Sequence, residues 1–590
     1  MSLGVTPLGA SYREGRWHFL VWAPKVSALS LVLVESGEDV PMHRDHSGYF
    51  SATVASDKEK IRYFYRLPDG MSLPDPATRA QPEGVHGPSE ASRVPFQWRD
   101  STWFGIPLRE YIIYELHVGT FTAASRFDAA IAELPRLKEL GITAIEIMPV
   151  AQFPGERNWG YDGVGLYAVQ NSYGGAEGFK RFVNAAHQHG LAVVLDVVYN
   201  HLGPEGNYLD LFGYYFTSAY KTPWGRAINY DHAHSHHVRR FFIENALFWQ
   251  EEFHIDALRL DAVHAIYDQS ARPFLRELAA TTELGAEKVG RRFHLIAESD
   301  LNASRFVLPR TIGGYGLSAQ WSDDFHHCLH VLLTGEQNGY YSSYTGGLEQ
   351  FAKVWREGFA FTGEISKFRN APHGERTHDL SFRQFVVCAQ NHDQVGNRML
   401  GERLPTLVDP ERLKLAAATV LLSPFTPLLF MGEEYGETAP FQYFANHLEK
   451  ELVEAVRKGR KEEFSHFFAS GEAPDPFELE TFQRCKLNAT LRQTGWHKKV
   501  YDFYRALIAF RKSHSCFTYA ERHQIEVLVH GKALLISYDT PRDHAVMILL
   551  NFSDQPGELP KPLQGLKPVI SSSKGQNELG GWGVLVFEST

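Results

Sequence analysis

The stretch FHIDALRLDAVHAI, Phe253 to Ile266, sets Arg259 and Asp261 two residues apart in an otherwise apolar segment. Read as a strand, residues i and i+2 point to one face, so a guanidinium and a carboxylate leave the same side of a buried strand together. Taken alone, such a pair reads as a structural ion pair. What surrounds it decides whether it is more than that.

Outward from this stretch, strands alternate with amphipathic helices from Tyr111 onward. YIIYELHV precedes the helical DAAIAELPRLKELG. Then come ITAIEIMPV (Ile142 to Val150), the helix FKRFVNAAHQHG, the strand LAVVLDVVYN (Leu191 to Asn200) and the helix VRRFFIENALFWQEEF. After the RLD strand follow FHLIAES (Phe293 to Ser299), LSAQWSDDF (Leu317 to Phe325), FVVCAQNHD (Phe385 to Asp393) and PLLFMGEE (Pro427 to Glu434). Eight strands with helices between them predict an α/β chain whose centre, residues 96–515, is a closed (β/α)8 TIM barrel.

The flanks read differently. WHFLVWAP, LSLVLVE, YFSATVAS and IRYFYRL are rich in aromatic and β-branched residues, and predict an N-terminal β-sandwich over residues 1–95. Leu73 to Ser92 is rich in Pro, Gly and Ser and reads as an extended linker. IEVLVHG, ALLISYD and VMILLNF predict a small C-terminal β-domain over residues 516–590. The charged run His447 to Phe464 reads as a solvated helix, and Thr334 to Ser381 as helical with no assigned role.

Composition narrows the class. The 590 residues are 44% hydrophobic and 22% charged, which excludes disordered and collagen-like chains. A formal net charge of -10 argues against nucleic acid as a partner, because binding phosphates takes a basic surface. Aromatics at 13% permit stacking on sugars without requiring it. The N-terminus lacks a basic and apolar leader pattern, and no apolar run approaches the roughly 20 residues of a membrane span. The four cysteines are scattered without a CxxC pair, so the expected compartment is the cytoplasm.

In a TIM barrel, function sits at the C-terminal strand ends. Strand three ends with Asp196, Asn200 and His201, and strand four with Arg259 and Asp261. Strand five ends with Glu298, strand six with Asp323, Asp324, His326 and His327, and strand seven with Asn391, His392 and Asp393. A structural ion pair explains one strand but not five that end alike. Two carboxylates flanking a bond are what glycoside hydrolysis requires: one protonates the leaving oxygen while the other attacks or activates water. Arg259 is placed to keep Asp261 ionised, and Glu298, emerging after the apolar LIA, is placed to act as the acid. Asp393 behind His392 can bind sugar hydroxyls and stabilise positive charge.

DVVYNH, ALRLDAVH, LIAES and QNHDQ, in this order and at these strand ends, resemble the four signature regions of the alpha-amylase family of retaining α-glucan enzymes. The resemblance implies Asp261 as nucleophile, Glu298 as general acid/base and Asp393 as the third carboxylate. Arg259, His201 and His392 would line the same subsite, with Tyr161 of NWGYDG as an aromatic platform and His264, Gln394 and Asn397 as further sugar contacts. Within the family, the sandwich before the barrel resembles those of isoamylases, glycogen branching enzymes and maltooligosyltrehalose trehalohydrolases. YELHVGTFT, NHLGPEGNYL, WSDDFHHCLHVLLTGEQNGYY and GEEYGETAPFQYFANH look most like the trehalohydrolases. That likeness implies hydrolysis of the α-1,4 bond beside a terminal trehalose, with Asp324, Phe325, His326 and His327 shaping the leaving-group side.

The partners implied are maltooligosyltrehalose and malto-oligosaccharides. The alternative is a glycogen branching enzyme, which passes the glycosyl group to a sugar hydroxyl. A non-catalytic carbohydrate-binding protein on the same fold is more remote, because all three carboxylates are present. No cofactor is implied. HAHSHH (His232 to His237) has four histidines, and Asp196 and Asn200 could ligate calcium. The run nevertheless lacks the cysteines or HExxH pattern of a zinc site, so no metal is expected.

Overall fold

Eight parallel strands close into a barrel: Ile113–Leu116, Ala144–Ile147, Ala192–Val197, Ala257–Leu260, His294–Ala297, Ala319–Trp321, Phe385–Cys388 and Thr426–Phe430. The first pairs back onto the eighth, Ile113 facing Leu428. The structure is a computed structural model that describes residues 6–465, 473–541, 544–572 and 578–589. The first five residues of the N-terminal stretch therefore lie outside the described ones. Helices follow most strands, and Gly175–Gln188 shows why. Phe179, Phe182, Val183 and Ala186 recur at i, i+3, i+4 and i+7 and are buried against the sheet. After strand five, two 3-10 turns, Ser304–Phe306 and Arg310–Ile312, replace the helix.

Strand parity divides the barrel interior into two levels. Ile113, Ala144, Val194, Ala257, Ile296, Ala319, Trp321 and Leu428 form one apolar cluster, closed beneath by Trp103, Ile106 and Leu108. Two residues further along the same strands, on the same face, stand Glu115, Glu146, Asp196, Arg259 and Glu298. An apolar plug thus lies under a charged floor at the C-terminal end.

The N-terminal residues form a four-stranded sheet and a five-stranded sheet, the latter built on Ser30–Leu33 and Lys60–Arg66. They pack on the barrel through Trp22, which meets Tyr215 edge-on at 5.3 Å and stacks on His237 at 4.7 Å. The stretch read as a linker is part of this packing. Asp75 is buried and accepts hydrogen bonds from Tyr63 and Tyr65 at 2.7 and 3.1 Å, and Ser89–Ser92 pairs with Lys60–Arg66. Its prolines and glycines set turns in a tethered chain rather than a free one. The tail forms a five-stranded antiparallel sheet. The segment Thr334 to Ser381 is helical only over Gly347–Glu357, with a 3-10 turn Gly339–Ser343 and a hairpin Ile365–Ser366 with Ala371–Pro372. The charged insertion forms the helix Lys450–Ser465. No helix among the described residues is long and apolar enough to cross a membrane.

Under the barrel, His187 joins Asp100 at 2.8 Å and Asp256 at 2.9 Å, and all three are buried. His254 adds a bond to Asp100 at 2.7 Å, and Trp103 Nε1 donates to Asp256 at 2.7 Å. Burial opposes charge on His187, but Asp256 and Asp100 outweigh it and raise its pKa. Burial likewise opposes charge on Asp100, and the two histidines hold it well below the usual carboxylate range. The linkage has two signs. Asp100 contributes stability above its unfolded pKa near 3.9, which is lost as pH falls through its depressed folded value. His187 contributes below about 6.5, and that share is lost as pH rises through its raised folded value. Asp256→Asn is therefore expected to lower Tm most at pH 5–6, by an amount equivalent to about 3 kcal/mol. The gap to wild type should narrow as pH rises and His187 loses its proton in both proteins. Thermal unfolding across pH 5–9 checks this, and a gap that widens with pH contradicts it.

Candidate active site

Arg259 is completely buried at the centre of the charged floor. Its Nη1 donates to Asp261 Oδ1 at 2.9 Å, to Asp196 Oδ2 at 2.8 Å and to the Tyr161 hydroxyl at 3.3 Å. Nη2 lies 3.5 Å from Glu298 Oε2, and the guanidinium stacks on Trp321 with 4.4 Å to the ring centroid. One cation therefore holds the carboxylates of strands three, four and five together. Asp261 takes a further bond from Asn200 Nδ2 at 2.7 Å.

Glu298 is gripped from the backbone. The Ala262 N–H donates to Oε2, and Ala262 has φ 39° and ψ 53°, left-handed space that alanine seldom adopts. The turn that carries the chain away from Asp261 thus aims an amide at Glu298. Burial raises the Glu298 pKa well above the carboxylate range. Arg259 pulls the other way, and Asp261 and Asp393 add to the rise. Burial also pushes Asp196 up to about 6 against the pull of Arg259.

Asp393 stands on the short helix His392–Gly396, whose first N–H groups at Asp393 and Gln394 are capped by the Asn391 side chain. Its side chain is 40% exposed, in contrast to the floor carboxylates. His392 is buried with both nitrogens engaged, Nδ1 by Glu115 and Nε2 by the Tyr161 hydroxyl at 2.7 Å. Tyr161 stacks on His392 at 5.2 Å, and its hydroxyl donates to Asp196 Oδ2 at 2.7 Å. His201 lies 3.0 Å from the Tyr161 carbonyl and stacks on the half-exposed Trp224 at 4.2 Å. His264, half-buried, sits 3.8 Å from Asp300.

Beside these groups opens a cleft with Asp300, Asp323, His327, Tyr340, Phe368, Arg369, Asp393, Gln394 and Asn397 on its wall. Here the DDFHH run divides. Asp324 is buried and accepts from Asn302, Ala360, Phe361 and Tyr344, and Phe325 packs against Phe351 and Phe425. Both lie behind the wall. His326 is buried against His330 and Tyr341, whereas His327 reaches the cleft and stacks on Tyr340 at 4.6 Å. Asp323, the preceding carboxylate, faces the cleft instead, and burial among carboxylates pushes it up to about 7. The run is a helix, Asp323–Thr334, so its exposed face follows a period of 3.6 and not the alternation of a strand end. Tyr340, Phe368 and Arg369 come from the segment that had no assigned role.

The histidine run is spent on packing: His237 on Trp22 and Tyr49, His234 on Tyr214, and His232 on Asp231. Asp196 and Asn200 are turned to Arg259 and Asp261. Among the described residues, one group combines imidazole and carboxylates at ligand spacing, His86 with Glu205 and Glu449. There Glu205 accepts the Leu448 N–H at 2.9 Å, and His86 Nδ1 lies 2.6 Å from the Tyr208 hydroxyl.

Carboxylates gathered on one guanidinium at the C-terminal end of a (β/α)8 barrel, beside a polar and aromatic cleft, define a glycoside hydrolase of the alpha-amylase type. Family models agree: the alpha amylase catalytic domain matches residues 126–222, and carbohydrate-binding module 48, the isoamylase N-terminal domain, matches residues 7–76. The malto-oligosyltrehalose trehalohydrolase of Saccharolobus solfataricus is 48% identical over 84% of this chain and 85% of its own length. That of Rhizobium sp. is 42% identical over 93% of each. The crystal structure of a Salmonella typhimurium protein described as an alpha amylase superposes with a TM-score of 0.92 at 40% identity, covering 99% of this chain and 100% of that one. A 1,4-alpha-glucan branching enzyme of Pseudoalteromonas atlantica is only 27% identical, over 74% of this chain and 62% of its own. The chain belongs to the malto-oligosyltrehalose trehalohydrolase family.

The Tyr161 hydroxyl ties Asp196, His392 and Arg259 together, so Tyr161→Phe should loosen the floor while leaving the ring platform. The expected result is a 10- to 100-fold fall in kcat/KM, about 1.4–2.8 kcal/mol, with little change in Tm. Steady-state kinetics beside thermal unfolding checks it.

Proposed function

We propose that the chain hydrolyses the α-1,4-glucosidic bond adjoining the terminal trehalose of a maltooligosyltrehalose, by a retaining double displacement. The observation that carries this reading is the sharing of one buried guanidinium by Asp261 and Glu298 next to a polar and aromatic cleft. Glu298, kept protonated by burial, gives its proton to the glycosidic oxygen while Asp261 attacks the anomeric carbon. Trehalose leaves, a covalent glycosyl-enzyme remains, and Glu298, now a base, takes a proton from water. The water oxygen replaces Asp261, and the α configuration is retained. Retention requires the two carboxyls about 5–5.5 Å apart, the separation that direct attack needs.

Asp393 acts on the sugar whose bond is cut, and Tyr161 and His201 form the wall around it. Trehalose takes the cleft lined by Asp300, Arg369, His327, Tyr340 and Phe368, where rings meet sugar faces and charged groups meet hydroxyls. Maltooligosyltrehalose and malto-oligosaccharides are the partners of this reading. The four cysteines are buried and scattered along the chain, which suits a reducing compartment, and we assign the protein to the cytoplasm.

Chromatography of the products from maltopentaosyl-trehalose and, separately, maltoheptaose tests the substrate. Rapid release of trehalose from the first with slow attack on the second is expected. New α-1,6 linkages without trehalose would instead make the chain a branching enzyme. Asp261→Asn and Glu298→Gln should each lower kcat at least about 1,000-fold in protein that still folds, and near-normal turnover in either removes the assignment. Because Glu298 must enter the reaction protonated, kcat/KM of the wild type should decline on the alkaline side.

A further inference from the structure

The charged floor contains a carboxylate that the double displacement does not use. Glu115 stands at the inward position of strand one and is completely buried, with both oxygens directed at one residue. Oε1 takes the His392 ring at Nδ1, and Oε2 accepts the His392 main-chain N–H at 3.1 Å. We propose that Glu115 is the positioning residue of the site: by gripping both the ring and the backbone of His392, it fixes that histidine as a buried cation that orients Tyr161 and Asp393. This rests on the reading above that Asp393 and Tyr161 hold the sugar at the point of cleavage.

Hydrogen-bond bookkeeping favours the cation. The Tyr161 oxygen lies 2.7 Å from His392 Nε2, 2.7 Å from Asp196 Oδ2 and 3.3 Å from Arg259 Nη1. A tyrosine hydroxyl has one proton to give and two lone pairs. If Nε2 carries a proton, the hydroxyl accepts from His392 and Arg259 and donates to Asp196, and all three contacts are satisfied. If Nε2 is bare, the single tyrosine proton must serve either His392 or Asp196, and the other is left facing a lone pair. The satisfied arrangement also needs Nδ1 to donate to Glu115, so the ring is doubly protonated. Asp393 Oδ1, 3.6 Å from Nε2, faces the same charge.

Every neighbour of the ring enters the balance. Glu115 comes from strand one, with Glu146 beside it on strand two in register. Asp196 and Arg259 lie across the floor, the latter opposing the cation. Trp159 and Trp321 close the sides, each with its ring centroid 6.1 Å away, and His117 is a nearby imidazole of the same potential sign. Burial disfavours charge on His392, but Glu115 and Asp393 outweigh it and push the group up to about 9. Without Glu115, Asp393 alone of these two is left to oppose burial and Arg259, both of which lower it.

The test uses the full-length chain in a Glu298→Gln background, which removes turnover and the titration of Glu298. Calorimetric binding of maltotetraose is measured from pH 5.5 to 9.5. In Glu298→Gln alone the affinity should hold to about pH 8 and then weaken. Adding Glu115→Gln should move that weakening below pH 7, leaving the affinity at pH 8 about 10-fold lower than the parent's. Adding Glu115→Asp, which keeps the charge, should restore most of it. An unmoved profile in folded Glu115→Gln overturns the inference while leaving the hydrolytic reading intact, whereas no binding by the parent at any pH overturns both. If Glu115→Gln does not fold, the parent still decides. The His392 Cε1 resonance in carbon-labelled protein, identified by its loss in His392→Asn, should keep the imidazolium shift up to about pH 8. Titration near 6.5, the ordinary imidazole value, overturns the proposal.

Discussion

The whole upper half of the barrel is organised around the burial of one guanidinium. Arginine cannot shed its charge to escape a low-dielectric interior, so its surroundings must supply counter-charges and a favourable face. Arg259 finds Asp196 and Asp261 at hydrogen-bond distance, Glu298 at 3.5 Å and the Trp321 ring beneath it. Those partners come from strands three to six, so the charge also fixes how neighbouring strands stand relative to each other. Removing any one partner leaves charge uncompensated where water cannot replace it. The site is therefore rigid for the same reason that it is chemically active.

The carboxylates outnumber the cations, and the excess is resolved by position. Glu146 on strand two is raised well above the carboxylate range by burial first, then by Glu115 and Asp196. Glu115 lies against His392. Asp261 is bonded by both Arg259 and Asn200. Glu298 has the more distant contact with Arg259, and burial raises its pKa well above the carboxylate range. Carboxylates on one floor thus stand in different surroundings. Such a contrast between neighbouring carboxyls is what a double displacement by an acid and a nucleophile requires.

Much of this was legible in the chain because barrel strands have a period of two. The spacing of Arg259 and Asp261, and the place of Glu298 after an apolar strand, follow from parity alone once eight strands are recognised. Elsewhere a different geometry takes over. After Trp321 the chain turns directly into a helix, so Asp323 and His327 share the cleft wall while Asp324, Phe325 and His326 turn inward. Composition misreads Leu73 to Ser92 because Asp75 and Ser89 are fastened by partners distant in sequence. Tyr340, Phe368 and Arg369 carry no local signal, since only tertiary packing brings that segment over the cleft. Glu115 and Glu146 did carry one, each a lone carboxylate at an inward position of an apolar strand.

The division between floor and wall also separates chemistry from specificity. The floor belongs to strand ends, where the backbone ladder and Arg259 permit little variation, and it offers no distinction between water and a sugar hydroxyl as acceptor. The far wall belongs to the insertion between strands six and seven and to the turn after strand five, joined where Arg369 Nη2 donates to Asp300 at 2.9 Å. That bridge is partly exposed, so it adds little to stability. What it does is tie together the two segments that carry this wall. A preference for a chain capped by trehalose over a glucan that runs on in both directions must therefore come from the loops and rings of the wall, because the floor treats either substrate alike.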